Sequence, residues 1–350
     1  MPNHTNSKWF SVNLFYNEPW EIFLTRAVLP YLDTVIGTGI GEQYFFVRYW
    51  ERGPHIRLRL KAEQAVIDNI LRPNLQEHFD NYFEAKPSTR IEPEYPPHFT
   101  EAQKWIPNDT MTFSVYEAET LRYGGVEGME IAENQFHVSS EVVLQSIKGK
   151  GNKWTYDDAL GLAIKLHLSF AQAIGLDLGE TEHFFNFIFS NWLPKAFNFY
   201  HKDLGDKAFQ KESKTTIAAF HKAFSLQADQ LITYHGALWE AIKQRDQLED
   251  QSLIRWIKAN EMMNWKYEAL IHRDKLNRRN SGYRYFDLIA EHMDKTQQKR
   301  WSIYADFVHM TNNRLGILNR DEGYLGYLIV ESLKALRTKK KEDKAYFPSI

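Results

Sequence analysis

The spacing of apolar residues changes character along this chain. In its first third, short aromatic and branched runs at residues 9–16, 44–50 and 55–61 have the alternation of half-buried strands. Between the first two, residues 19–36 place Ile22, Phe23, Ala27, Tyr31 and Val35 at helical intervals, with Pro30 expected to kink the helix. Residues 62–82 read as a further helix, 89–94 and 111–116 as further strands, and 93–107 as a loop broken up by prolines. From about residue 126 the period becomes helical. Long amphipathic stretches are predicted at 129–147, 156–173, 181–200, 207–244, 253–273, 295–318 and 322–336.

Strands gathered early and helices gathered late predict an α+β fold. The expectation is an antiparallel sheet with hairpins in the N-terminal third, followed by a mostly helical C-terminal part. No internal repeat or low-complexity linker divides the chain, so a single domain is expected over 1–350. It would comprise an α+β part at about 9–125, a helical part at about 126–336 and a basic tail at 337–350. The polar stretch 204–213 reads as a loop and only a weak boundary.

Composition narrows the chemistry. With 43% hydrophobic residues in 350, the chain has enough apolar material for one large core or two modest ones. A formal net charge of −2 gives no whole-chain attraction for nucleic acid or acidic membrane, so any anion recognition must be local. The sequence has no cysteine, which excludes disulfide scaffolding, thiolate catalysis and Cys-rich metal sites. The first residues, Met1 to Lys8, are polar, and no run reaches the roughly 18 continuous apolar residues of a membrane span. A soluble, cytoplasmic protein is the expectation. The cations Arg337, Lys339, Lys340, Lys341 and Lys344 read as a solvated helix end in preference to a tRNA-binding tail.

Three local patterns carry candidate chemistry. In the predicted hairpin, alternation sets His55, Arg57, Arg59 and Lys61 on one face and Ile56, Leu58 and Leu60 on the other. With Glu51–Pro54 as a loop of four, Trp50 would pair with His55 and Arg48 would lie opposite Arg57, a like-charge contact that calls for an intervening anion. Guanidinium groups suit bidentate capture of a carboxylate or phosphate. The other reading is an exposed face whose arginines pair with acids elsewhere. Next, Glu119 and Arg122 are spaced to meet on one helical turn ended by Gly124 and Gly125, which an ordinary surface ion pair also explains. Finally, His309 shares a helical face with Asp306 and Asn313, as either an oriented proton carrier or a structural histidine. Nucleotide-loop, metalloprotease and hydrolase-elbow patterns are missing, and Gly37 to Gly41 reads as a turn.

Taken in order, these segments resemble the elimination domain of class I lantibiotic dehydratases, also known from thiopeptide-type bacteriocin biosynthesis. The resemblance rests on Tyr44-Phe45-Phe46-Val47-Arg48-Tyr49, His55-Ile56-Arg57-Leu58-Arg59-Leu60, Glu119 to Gly125, Glu130 to Phe136 with Ser139 and Ser140, and His309-Met310 with Asn313-Arg314-Leu315. It extends from about residue 9 to 336. In that family glutamyl-tRNA first esterifies Ser or Thr of a precursor peptide, and this domain then expels glutamate to leave dehydroalanine or dehydrobutyrine.

The residues tied to elimination in the family match Arg57, Arg59, Glu119, Arg122 and His309, the candidate catalytic set. Arg48, His55, Tyr123, Asn313 and Arg314, beside them in the same motifs, are the candidate substrate-binding residues. The resemblance implies no metal and no organic cofactor. It implies two partners, the glutamylated precursor peptide and a separate tRNA-dependent glutamylation protein, and is compatible with a homodimer. It leaves open whether His309 or Glu119 is the base. Two alternatives accompany it: a pyridine-forming cycloaddition enzyme on the same scaffold, and a non-catalytic module that only presents the peptide. Retention of all five elimination residues favours elimination.

Overall fold

The computed structural model describes residues 7–197, 205–278 and 293–346, with side chains to residue 339. The chain divides into two compact units, one made of the chain up to Glu119 with Glu133–Thr155, the other of Thr120–Ala132 with the chain from Tyr156 onward.

The first unit is built on four strands, β1 (Ser7–Phe15), β2 (Gln43–Tyr49), β3 (His55–Glu63) and β4 (Thr110–Ser114), in the order β2-β3-β1-β4. Every neighbouring pair is antiparallel. Helical connections separate β1 from β2 and β3 from β4, so the unit has the split βαβ, ferredoxin-like arrangement. Alternation explains which face is buried: Val12, Leu14, Phe46, Ile56, Leu58 and Leu60 all lose contact with solvent, as do Phe23 and Phe79 of the connecting helices. At the β2 edge, Ser140 of α5 (Val126–Lys150) accepts from the backbone N–H of Phe46 at 3.2 Å, and His137 Nδ1 of the same helix lies 2.9 Å from the Tyr44 carbonyl oxygen. Backbone groups of that edge strand are thereby satisfied.

Both connections contain a π-helical turn just ahead of a proline. The first runs α1 (Glu21–Phe23), a π turn (Leu24–Val28) and α2 (Leu29–Gly37). The second runs α3 (Gln64–Val66), a π turn (Ile67–Leu71) and α4 (Arg72–Ala85). Pro30 and Pro73 cannot donate to the carbonyls four residues earlier, Arg26 and Asn69, and their rings crowd them. The wider turn relieves the crowding: Leu29 donates to Leu24 and Arg72 to Ile67, five residues back.

Several expectations need correction. Residues 89–94 form no strand. Ile91 is 92% exposed with no apolar layer to join. The segment is fastened instead by side chains: Ser88 to the Asp109 carboxylate at 3.0 Å, and Arg90 to the Ile106 carbonyl at 2.9 Å. Residues 62 and 63 continue β3 and do not start a helix. The helix expected at 207–244 is interrupted at Leu226 and Gln227, giving α8 (Asp206–Ser225) and α9 (Ala228–Lys243). The stretch read as a loop at 204–213 is helical from Asp206, because polar residues on a solvated helix face mimic a loop in composition. Leu204 lies outside the described residues, as do the side chains of Lys340, Lys341 and Lys344 in the basic tail.

The second unit is helical. It contains α6 (Tyr156–Ala173), α7 (Leu178–Phe197), α8, α9, α10 (Gln251–His272), α11 (Lys295–Leu315) and α12 (Asn319–Tyr346). Capping sets several ends: Asp294 accepts from the N–H groups of Thr296 and Gln297, and Gly316 closes α11 at φ 81°. Antiparallel α7 and α12 approach closely because α12 presents glycines there. A Cβ on Gly323 would stand 3.3 Å from the backbone of Trp192 and Leu193, and one on Gly326 3.2 Å from the Phe189 Cα. Among the described residues no helix is long and apolar enough to cross a membrane.

A methyl group at Gly326 must push backbone away, whereas one at Gly161 in α6 meets nothing within 4 Å. Gly326→Ala should therefore cost about 1–3 kcal/mol by urea unfolding. Gly161→Ala should add about 0.4–1 kcal/mol.

Candidate functional site

On β3, His55, Arg57, Arg59 and Lys61 share the face opposite the helix-covered core, as alternation requires. Arg48 does not join them. The observed register pairs Tyr49 with His55 and Val47 with Arg57, and sets Arg48 opposite Ile56. The connection is therefore five residues, 50–54, with Arg52 and Gly53 both at positive φ. One extra loop residue reverses which face each β2 side chain takes. The predicted like-charge contact is absent, and Arg48 is buried on the core side with its Nη1 2.7 Å from the Glu21 carboxylate.

The cationic face is ordered by contacts within the first unit. His55 is buried between Phe15 and Tyr49. Its Nδ1 lies 2.8 Å from the Gly53 carbonyl oxygen, and its Nε2 accepts from Arg57 Nε at 3.2 Å. These partners define a neutral ring with the proton on Nδ1. Burial, reinforced by Arg57 and Arg59, pushes its pKa down to about 4. The Arg57 guanidinium carbon sits 3.4 Å above the centre of the Tyr49 ring, and Nη2 lies 3.3 Å from Glu51.

Arg59 differs from its neighbours. Across the strands it faces Ser11 and Phe45, and its one hydrogen bond among the described residues is a long one, 3.4 Å, to the Leu58 carbonyl. Among the described residues no carboxylate pairs with it. Burial and the positive charge of Arg57 lower its pKa to about 10. A guanidinium desolvated without a counter-ion is a site at which an anionic ligand recovers much of the lost solvation. A pocket of about 270 Å³ opens on the same face, lined in part by Asn13, His55, Arg57, Thr112 and Ser114. Glu119, exposed, closes the first stretch of this unit.

The second unit holds the remaining candidates. Arg122 lies in the turn before α5, which ends at Gly124 and Gly125 with φ of 92° and 101°. Tyr267 secures that turn with its single hydroxyl, which lies 3.1 and 2.9 Å from the carbonyl oxygens of Tyr123 and Gly128 and shares its proton between them. Asp306 on α11 bridges two cations, with Arg122 and Arg278 each at 2.8 Å. Asp306 is thus engaged with arginines, and the carboxylate at His309 is a different one: Glu322 of α12, 2.8 Å from Nδ1. Trp192 of α7 stacks on the imidazole with centroids 4.6 Å apart. Tyr123 and Arg314 are buried, with Arg314 donating to the Met310 carbonyl at 3.0 Å, and Asn313 is half-buried beside them on α11. Neither Arg278 nor Glu322 was evident from sequence, since each meets its partner only through packing of distant helices. The acid in the first turn of α12 was the one available hint.

The chain belongs to the lantibiotic biosynthesis dehydratase C-terminal family, whose model matches residues 9–333. Over 167 residues it is 25% identical to the nisin biosynthesis protein NisB of Lactococcus lactis subsp. lactis, covering 46% of this chain but only 14% of that protein. Its fold is similar to that of the pyridine synthase TbtD from thiomuracin biosynthesis, with a TM-score of 0.67, 13% identity, and coverage of 94% of this chain and 98% of that one. It is also similar to the tRNA dependent lantibiotic dehydratase MibB from Microbispora sp. 107891, with a TM-score of 0.57, 16% identity, and coverage of 97% of this chain and 29% of that one.

Three buried histidines, His55, His167 and His235, each have a pKa lowered from 6.5 to about 4 by burial. Between those values the unfolded chain takes up protons that the folded chain does not. Stability should be fully present above about pH 6.5 and fall as pH drops toward 4. Denaturant midpoints measured across that range test this, and His235→Phe should flatten the dependence.

Proposed function

We propose that this chain eliminates glutamate from glutamylated Ser or Thr in a ribosomally made precursor peptide, leaving dehydroalanine or dehydrobutyrine. A tRNA-dependent glutamylation activity would supply the ester. The observation that carries this reading is Arg59, a largely buried guanidinium without a carboxylate partner among the described residues, next to Arg57 on the same strand face. The glutamyl ester bears a free carboxylate, and the leaving group departs as a second one. Loss of the α-proton also places negative charge on the peptide carbonyl. Clustered guanidinium groups suit all three demands, because they are charged at any working pH and donate in a planar fork.

His309 supplies a proton-transfer group, and family membership with retention of Arg57, Arg59, Glu119, Arg122 and His309 favours elimination among the family's activities. Arg48, paired with Glu21 on the core side, has no part in this reading. Tyr123 and Arg314, both buried, have no part in it either. The similarity in fold to the pyridine synthase TbtD makes cycloaddition the competing activity.

Mass spectrometry of a pre-glutamylated Ser/Thr peptide incubated with the purified protein distinguishes the two. Loss of glutamic acid to leave an alkene supports elimination. An unchanged ester, together with ring closure of a dehydrated peptide, would replace elimination by cycloaddition. Arg59→Ala and His309→Ala should each slow ester consumption by about 10²–10³-fold, with glutamylated peptide accumulating. Arg59→Lys should recover only part of the rate, because a point charge lacks the planar fork.

A further inference from the structure

In the second unit, His309 is one end of a buried hydrogen-bonded chain. Its Nδ1 lies 2.8 Å from Glu322 Oε1, Asn312 Nδ2 donates to Glu322 Oε2 at 3.0 Å, and Asn312 Oδ1 lies 2.8 Å from His167 Nε2. Glu322 is only 1% exposed. An ionised carboxylate so deeply buried requires full hydrogen bonding and nearby positive charge. It stands in the first turn of α12, at the positive end of the helix dipole, and Lys195 of α7 faces it.

A carboxylate only accepts hydrogen bonds, and this fixes the direction of the whole chain. The Asn312 atom facing Glu322 must be the amide nitrogen, so its oxygen faces His167. His167, kept neutral by burial, must then carry its proton on Nε2. By the same logic His309 must carry its proton on Nδ1. The Nε2 of His309 is left with a lone pair and, among the described residues, no hydrogen-bond partner. The side chain is 18% exposed, and the stacked Trp192 ring holds its plane.

We propose that Glu322 is a positioning residue that, with Asn312 and His167 behind it, holds His309 in the Nδ1–H form so that Nε2 is the base. This rests on the elimination reading for the identity of the proton removed. Nε2 takes the α-proton of the esterified residue. The C–H electron pair becomes the Cα–Cβ double bond as the Cβ–O bond breaks, and glutamate leaves as a carboxylate. The imidazolium so formed lies against the Glu322 anion, while Asp306, one turn earlier on α11, is engaged by Arg122 and Arg278. The logic is that of an oriented base whose tautomer is set by an acidic partner.

Glu322→Gln separates this role from a merely structural one. The introduced amide has a single acceptor oxygen, and Asn312 must donate to it, because His167 Nδ1 is buried without a partner, so a proton there would be an orphaned donor and His167 stays Nε2–H toward the Asn312 oxygen. The amide NH2 then faces His309 Nδ1 and forces the ring into the Nε2–H form, which removes the base. Imidazole 15N NMR of the histidine-labelled full chain, with the His309 signals identified by their loss in His309→Gln, reads the tautomer directly. Wild type should show a protonated Nδ1 and an unprotonated Nε2, and Glu322→Gln the reverse. With a glutamylated peptide, Glu322→Gln should lower kcat by about 10²–10⁴-fold and leave KM within about twofold.

A wild-type ring protonated on Nε2 would overturn the proposal without any variant. So would a Glu322→Gln protein that keeps wild-type kcat. A wild-type protein inert toward glutamylated peptide sinks the elimination reading alone, because the two tautomer measurements need no substrate.

Discussion

The first unit depends on the alternation of β3. This strand is paired on both sides, by β1 and by β2, so its period of two is imposed on the whole sheet. Ile56, Leu58 and Leu60 carry the core while Arg57, Arg59 and Lys61 are delivered together to the other face. The cations are not scattered surface charges. They are held in register by the same pairing that buries the leucines, so the core and the cationic face cannot vary independently.

The second unit depends on a different constraint, the close approach of α7 and α12. Gly323 and Gly326 remove the side chains that would hold the two backbones apart, and Glu322 precedes the first of these glycines. That packing brings a buried carboxylate to the Nδ1 edge of His309 while Trp192, against whose backbone Gly323 packs, covers the face of the ring. The histidine is fixed in position, plane and proton arrangement by groups from other helices. Asp306, which sequence spacing suggested as its partner, serves Arg122 and Arg278. A carboxylate between two guanidinium groups has little left to orient an imidazole.

Both units therefore show the same economy of charge. Acidic groups hold selected cations still, Glu21 on Arg48, Glu51 on Arg57 and Asp306 on Arg122, while Arg59, partly buried, has no acid paired with it among the described residues. Desolvation strengthens any interaction such a cation makes with an incoming anion. This fits the proposed handling of an ester that carries one carboxylate and releases another.

Much of this was legible in the sequence, because it follows from local periodicity. The early strands, the late helices, the sidedness of β3 and the glycine-ended turn after Arg122 are consequences of residue spacing and backbone conformational freedom. The resemblance of the ordered motifs pointed to the family that the match over residues 9–333 establishes. Registers and distant partners were not legible. One residue more in the hairpin loop moved Arg48 from the cationic face to the core, and composition could not count that loop. Residues 89–94 had strand-like side chains but no neighbouring strand to receive them. Glu322 and Arg278 reach His309 and Asp306 only through helix packing, which no periodicity within one helix encodes. Local sequence determined which faces are apolar and which are charged; tertiary structure decided which charges meet, since pairing requires proximity between segments whose separation along the chain carries no information about distance.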